Sequence, residues 1–157
     1  MSIALIPGSF DPFTLGHVDL VERTARLFDR VVVAVMVNGE KSGTGGGCFT
    51  FAEREALAAA SLSHLPNVEV DSSRELLADY ARSKGDCVIV KGLRAGSDFE
   101  NEFQMALINH KINPELDTMF LTSEHQYMYM SSSVVKELGR YGADLTDFLP
   151  GEILDEV

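Results

Sequence analysis

Residues 31–37 read Val-Val-Val-Ala-Val-Met-Val, and no other stretch restricts the possible folds of this chain as strongly. A β-branched, nearly all-apolar run of this length predicts a parallel strand covered on both faces. Shorter runs at Ile3–Ile6, Val68–Val70, Cys87–Val90 and Thr118–Leu121 read as four more strands. Segments with helical spacing lie between them. Val18, Val21, Ala25 and Phe28 mark a helix over 18–28. Thr50 and Glu53 form a capping-box pattern that opens a helix to about Leu65. Ser72 or Ser73 caps a helix over 75–84 that Gly85 stops, and Ser97 with Glu100 opens a long one over 98–111. Ser131–Ser133 starts a helix over 134–141 ended by Gly142, and Pro150 begins a short terminal helix. This alternation predicts βαβ units. The expected fold is α/β: a Rossmann-like, doubly wound, parallel five-stranded sheet with helices on both faces. With no internal repeat and no linker, residues 1–157 are expected to form a single domain.

Composition narrows the function classes. A net charge of −11 argues against nucleic acid or anionic membranes as partners. No apolar run approaches the roughly 20 residues that span a bilayer. The chain reaches a strand within its first residues, without a basic leader or cleavage signal, so a soluble cytoplasmic protein is expected. Cys48 and Cys87 lack metal-ligand spacing and are expected to be free thiols, Cys87 as a small core residue. His64, His110 and His125 also lack metal spacing and read as surface or packing residues.

Ligands of doubly wound sheets bind beyond the carboxyl ends of the strands. Four unusual loops fall there: 7–17, 38–48, 91–94 and 124–133. The first, Pro-Gly-Ser-Phe-Asp-Pro-Phe-Thr-Leu-Gly-His, has two prolines and two glycines in eleven residues and sets His17 in the first turn of a helix. A helix N-terminus offers unpaired N–H groups and partial positive charge, which suits phosphate, and a histidine adds a donor. Lys91-Gly92-Leu93-Arg94 places two cations and a permissive glycine in a loop at a strand end. Ser131-Ser132-Ser133 brings three hydroxyls to a second helix N-terminus, more than one cap requires. Lys41 is a lone loop cation that spacing leaves open between a solvated charge and a ligand contact. No Walker A sequence occurs, and Gly43–Gly47 reads as flexible loop.

Thr14-Leu15-Gly16-His17 fits the T/H-x-G-H signature of the nucleotidylyltransferase superfamily. Together with FTFAER at 49–54, KGLRAGSDFENE at 91–102, SSSVVKEL at 131–138 and FLP at 148–150, the stretch at 7–17 closely resembles the bacterial phosphopantetheine adenylyltransferases, across essentially the whole chain. The resemblance implies adenylyl transfer from ATP to 4′-phosphopantetheine with Mg2+, yielding 3′-dephospho-CoA and pyrophosphate. It also implies a homohexamer and feedback inhibition by CoA. By matched position, His17, Ser9, Lys91 and Arg94 would carry catalysis. The ATP site would comprise Ser9, Phe10, His17, Gly92, Leu93, Arg94, Glu102 and the segment Tyr127, Met128, Tyr129, Met130, Ser131, Ser132 and Ser133. Phosphopantetheine would meet Ser9, Lys41, Leu77 and Lys91. The 42–48 loop is longer than the family's usual one and lacks its proline, Asn101 stands where many members have Tyr, and Lys91 stands where others have Arg. A related transferase with another phosphate acceptor, and a nucleotide-binding module without catalysis, are the competing readings.

The expected chemistry needs no covalent enzyme intermediate. The acceptor phosphate, with a second pKa near 6 by analogy with phosphorylated side chains, attacks the α-phosphorus in line. The protein positions the reactants and stabilises charge.

Overall fold

A computed structural model describes residues 1–36, 49–94 and 98–156. Lys41, the Gly43–Gly47 loop, Cys48 and Ser97 lie outside the described residues. The elements follow the expected alternation: β1 Ile3–Gly8, α1 Leu15–Leu27, β2 Arg30–Met36, α2 Phe51–Ser61, β3 Val68–Ser73, α3 Leu77–Ser83, β4 Cys87–Leu93, α4 Asp98–Ile112, β5 Asp117–Thr122 and α5 Ser132–Arg140. Short 3₁₀ turns occupy His125–Tyr127 and Gly151–Glu156.

The sheet is parallel in the order β3-β2-β1-β4-β5. Its two faces bury alternate residues of the same strands. Ala4, Ile6, Val31, Val33 and Val35 pack with Val21 of α1 and Leu57 and Ala58 of α2. Leu5, Val32, Ala34 and Ile89 pack with Ala78, Tyr80 and Ala81 of α3. Helices therefore cover both faces, which explains why β2 carries no polar alternation.

The strand order reverses direction at β1, between β2 and β4. β1 pairs with β2 along Ile3–Gly8 but with β4 only along Ile3–Leu5. The two strands part at their carboxyl ends, and Pro7, which has no N–H to donate, falls in the stretch without a β4 partner. That parting opens the crevice in which doubly wound sheets bind ligands.

Several boundaries differ from the sequence-based expectation. Lys91, Gly92 and Leu93 lie on β4 rather than in a loop, because β5 continues the ladder beside them through Leu93↔Thr122. α2 stops at Ser61, four residues before Leu65. Neither Ser72 nor Ser73 caps α3: its N-cap is Leu76, without a side-chain bond. Ser72 extends β3 and donates its hydroxyl to Glu55 (2.8 Å), while the Ser73 hydroxyl accepts from the Glu75 N–H (3.0 Å). Pro7 and Gly8 belong to β1, and α5 begins two residues early, at Ser132. Cys87 is a buried free thiol, as expected, and burial pushes its pKa up.

Candidate active site

The chain leaves β1 at Gly8 and turns sharply. Phe10 takes the left-handed conformation (φ 48°), and the Asp11–Pro12 peptide is cis. The Phe10 ring folds back over Gly8, where an added Cβ would stand 2.8 Å from the ring's Cζ. Only glycine leaves room for this return. Phe10 is thereby buried and meets the rings of Phe13 and His17 at centroid distances of 5.1 and 5.0 Å; Phe13 and His17 lie 5.2 Å apart.

α1 opens with a capping box in which histidine takes the place usually held by glutamate. The His17 N–H donates to the Thr14 hydroxyl (3.3 Å), and the Thr14 N–H donates to His17 Nδ1 (3.0 Å). Nδ1 therefore acts as the acceptor, which puts the proton of the neutral ring on Nε2. Burial first, then the charges of Arg94 and Lys91, hold the His17 pKa down to about 3. The imidazole is uncharged at neutral pH and presents one fixed N–H donor.

His17 lines a cleft of about 750 Å3 at the carboxyl edge of the sheet. Ser9, Phe10, Leu77, Lys91, Gly92, Arg94, Glu102, Tyr127, Met130 and Ser132 share this wall, so one cavity gathers residues from the turn after β1, α3, β4 and its carboxyl end, α4, the segment before α5, and α5. Lys91 pairs with Glu102 (3.3 Å), and Arg94 donates to the Met130 carbonyl (2.8 Å). The Ser132 hydroxyl donates to the Pro12 carbonyl (2.8 Å), and Ser131 caps α5 by accepting from the Val134 N–H (3.2 Å).

Leu93, Met128, Tyr129, Ser131 and Ser133 stand outside the cleft wall. Leu93 ends β4, and its carbonyl accepts from the Ser123 N–H (2.9 Å). Tyr129 is 80% exposed, and Ser133 lies on an exposed turn of α5. His64 pairs with Glu22 (2.8 Å), His110 bonds the Leu116 carbonyl (3.0 Å), and His125 is exposed. Among the described residues, no group of three or more His, Cys, Asp or Glu side chains could hold a metal ion.

The wall also contains residues that sequence reasoning passed over. Asp19, Leu20 and Arg23 join Gly16 of the Thr14–His17 motif in facing the cleft. Their i, i+3, i+4, i+7 spacing is one helix face, so the signal was present on the side opposite the apolar stripe. Arg23 is held by the Thr122 carbonyl (2.7 Å) and Asp19 (3.4 Å). Arg74 enters from the carboxyl end of β3 and lies over the Phe51 ring (4.8 Å). The rule that ligands bind at strand ends applies equally to the loop after β3.

The local electrostatics oppose the chain's net charge of −11. On the cleft wall the cations Arg23, Arg74, Lys91 and Arg94 outnumber the carboxylates Asp19, Glu75 and Glu102, beside a neutral imidazole donor. In the first turn of α1 the Leu15 N–H donates to the Phe148 carbonyl (2.9 Å) and the His17 N–H to Thr14, so Gly16, on the cleft wall, is the residue that can offer a backbone N–H there. Such a site accepts a polyphosphate and stabilises negative charge that develops on phosphoryl oxygens.

Residues 5–138 match the Cytidylyltransferase-like family. The phosphopantetheine adenylyltransferase of Alkaliphilus metalliredigens is 48% identical over 154 residues, covering 98% of this chain and 96% of that protein. Its counterpart from Methylococcus capsulatus is 49% identical over 150 residues, covering 96% and 90%. Among solved structures, a Vibrio parahaemolyticus protein provisionally named a nicotinate-nucleotide adenylyltransferase superposes with a TM-score of 0.71 at 18% identity, covering 99% of this chain and 94% of that one. That last likeness concerns the fold alone.

Proposed function

The chain belongs to the Cytidylyltransferase-like family and to its phosphopantetheine adenylyltransferases, and on that premise we propose how the residues of the cleft divide the reaction. The enzyme transfers the adenylyl group of ATP to 4′-phosphopantetheine, giving 3′-dephospho-CoA and pyrophosphate, the penultimate step of CoA biosynthesis.

The observation that carries the assignment of roles is the neutral His17, locked by Thr14 with its Nε2–H as donor. An oxygen of the acceptor phosphate bonds to the α-phosphorus of ATP while the bond from that phosphorus to the bridging oxygen breaks. Pyrophosphate leaves with the electron pair. His17 keeps its proton throughout and donates a hydrogen bond to the phosphoryl oxygens as their charge builds. Ser9, beside it on the turn, contacts both substrates. Lys91 draws in the acceptor phosphate. Arg94 and the N-terminus of α5, with Ser132 at its first turn, hold the ATP phosphates. Gly92, Phe10, Glu102, Tyr127 and Met130 surround the nucleotide, and Leu77 gives the pantetheine arm an apolar wall. Lys41, outside the described residues, is assigned to phosphopantetheine by its matched position.

Asp19 and Glu102 are the acidic side chains of the cleft wall besides Glu75, and Arg23 and Lys91 pair with the first two. This arrangement suits Mg2+ that arrives on the ATP phosphates rather than one held in a protein cage. When bound there, the ion neutralises phosphate charge.

We further propose one cytoplasmic nucleotidylyltransferase domain over 1–157 that assembles as a homohexamer and is inhibited by CoA, whose pantetheine and adenylyl halves correspond to the two substrates. Exposed apolar residues of α4 support self-association: Phe99, Phe103, Leu107, Ile108 and Ile112 are all exposed outside the cleft, whereas Asn109 of the same helix is 5% exposed. That pattern is inverted for a solvent-facing helix.

The test is pyrophosphate release from ATP and Mg2+ with 4′-phosphopantetheine, with nicotinate mononucleotide as the control acceptor. Turnover is expected with the first alone. Turnover with nicotinate mononucleotide instead would overturn the acceptor assignment.

A further inference from the structure

Asp11 lies within the phosphate-binding turn but is not part of the cleft wall. It is 4% exposed, and it gathers partners from distant parts of the chain. Its Oδ1 accepts from the Phe49 N–H (3.0 Å) and lies 3.6 Å from Arg54 Nε. Its Oδ2 lies 3.3 Å from Lys136 Nζ on α5. The side chains of Arg54 and Lys136 are themselves only 17% and 19% exposed. Lys136 does not line the cleft either: its ammonium turns inward, onto the turn. One turn earlier on α5, the Ser132 hydroxyl donates to the carbonyl of Pro12, next to Asp11. The start of α5 is thus tied twice to the segment that carries Ser9, Phe10 and His17.

A buried carboxylate with two cations and a backbone donor is well satisfied, whereas the same carboxylate or either cation left unpaired in that place is not. Charge, not shape alone, therefore holds the two elements together. The consequence is geometric. In-line transfer requires the donor of His17 and the phosphate-binding N-terminus of α5 to be in register around one phosphorus, and small displacements cost rate steeply.

We propose that Asp11 and Lys136 are positioning residues: their buried ion pair sets the phosphate-binding turn against the N-terminus of α5 and so aligns the two phosphate sites for transfer. This inference rests on the adenylyltransferase reading above. Wild-type turnover with 4′-phosphopantetheine in the same assay separates failure of that reading from failure of this one.

The experiment is a double-mutant cycle on the full chain, comparing wild type, D11N, K136M and D11N/K136M for kcat, for both KM values and for Tm. Each single variant is expected to lose kcat by about 100-fold, the scale of a small misplacement of reacting groups, with both KM values nearly unchanged. The double variant is expected to be no worse than the poorer single, because the two residues act as one unit. A fall in Tm with unchanged kcat would reduce the pair to packing and overturn the proposal. A K136M variant with raised KM for ATP, whose loss adds to that of D11N, would make Lys136 a direct substrate contact and overturn it equally. If D11N does not fold, K136Q and K136R carry the test. K136R keeps a charge on Asp11 and is expected to restore most of the kcat that K136Q loses, whereas equal losses in both would overturn the proposal.

Discussion

The T-x-x-H spacing at 14–17 is where a single residue bears most on the proposed chemistry. A glutamate at the third helical position would complete the capping box equally well, but it would place a negative charge beside the phosphates. Histidine completes the box with one nitrogen and leaves the other as a donor. His17→Ala is expected to lower kcat by about 100- to 1,000-fold, the scale for one lost oxyanion donor, with circular dichroism unchanged; near-normal turnover would remove the assigned role. The depressed pKa adds a pH signature. The unfolded His17 binds a proton below about 6.5, while the folded one resists protonation until about pH 3. Between those values the unfolded state holds more protons, so stability falls as pH falls, by about 1.4 kcal/mol per pH unit at most from this group. Denaturant titrations of the wild type from pH 7 to pH 4 should show this slope, and His17→Ala should flatten it. The pH profile of kcat/KM should contain no acid limb near 6.5 from His17. The motif was legible as residues, but the tautomer and the charge state were not, since the first depends on the Thr14 N–H bond and the second on burial and on Arg94 and Lys91, at the end of β4.

At the scale of elements, α1 shows how one helix serves two environments. Val21 packs into the core, while Gly16, Asp19, Leu20 and Arg23 face the ligand cleft. Its cap ties the helix start to the cleft, because the Thr14 hydroxyl bonds the helix backbone and its N–H orients the His17 ring. Thr14→Ala is expected to destabilise the protein by about 1 kcal/mol, the usual value of an N-cap side chain. The backbone bond to Nδ1 remains in that variant, so the Tm shift measured by calorimetry should exceed the change in kcat. A large loss of kcat with unaltered Tm would contradict this division of roles. β4 makes a complementary point. Its apolar run ends at Val90, yet the strand continues through Leu93 because β5 supplies a ladder partner. Lys91 is held on a strand, in a fixed direction, where composition suggested a loop. Propensity reads the residues of one segment, whereas pairing depends on the neighbour.

At the scale of the whole molecule, α4 carries apolar residues on several sides, and the sequence could not separate a core helix from one that meets another subunit. The structure places six of its apolar side chains at the surface and sets it against β5, the edge strand of the sheet, where Met119 is also exposed. Leu107→Glu is expected to shift the assembly to smaller species in sedimentation velocity without unfolding the chain, because Leu107 is already 57% exposed. A wild-type chain that sediments as a monomer would overturn the proposed assembly. Glu102 of the same helix pairs with Lys91 in the cleft, so the variant should also be assayed for a changed KM for phosphopantetheine.

By itself, the sequence determined what short-range chemistry controls. The βαβ alternation, the buried parallel character of β2, the sharp turn after β1 and a helix opening near His17 all follow from periodicity, branching, glycine and proline within a dozen residues of each other. Tertiary structure alone decided what depends on residues far apart. It brought Lys136 onto Asp11 across 125 positions, drew Arg23 and Arg74 into the cleft, lengthened β4 beside β5 and turned the apolar side chains of α4 outward. The physical reason is common to these cases: burial, pairing and electrostatic environment belong to contacts between elements, and a linear pattern carries them only where both partners lie in the same stretch.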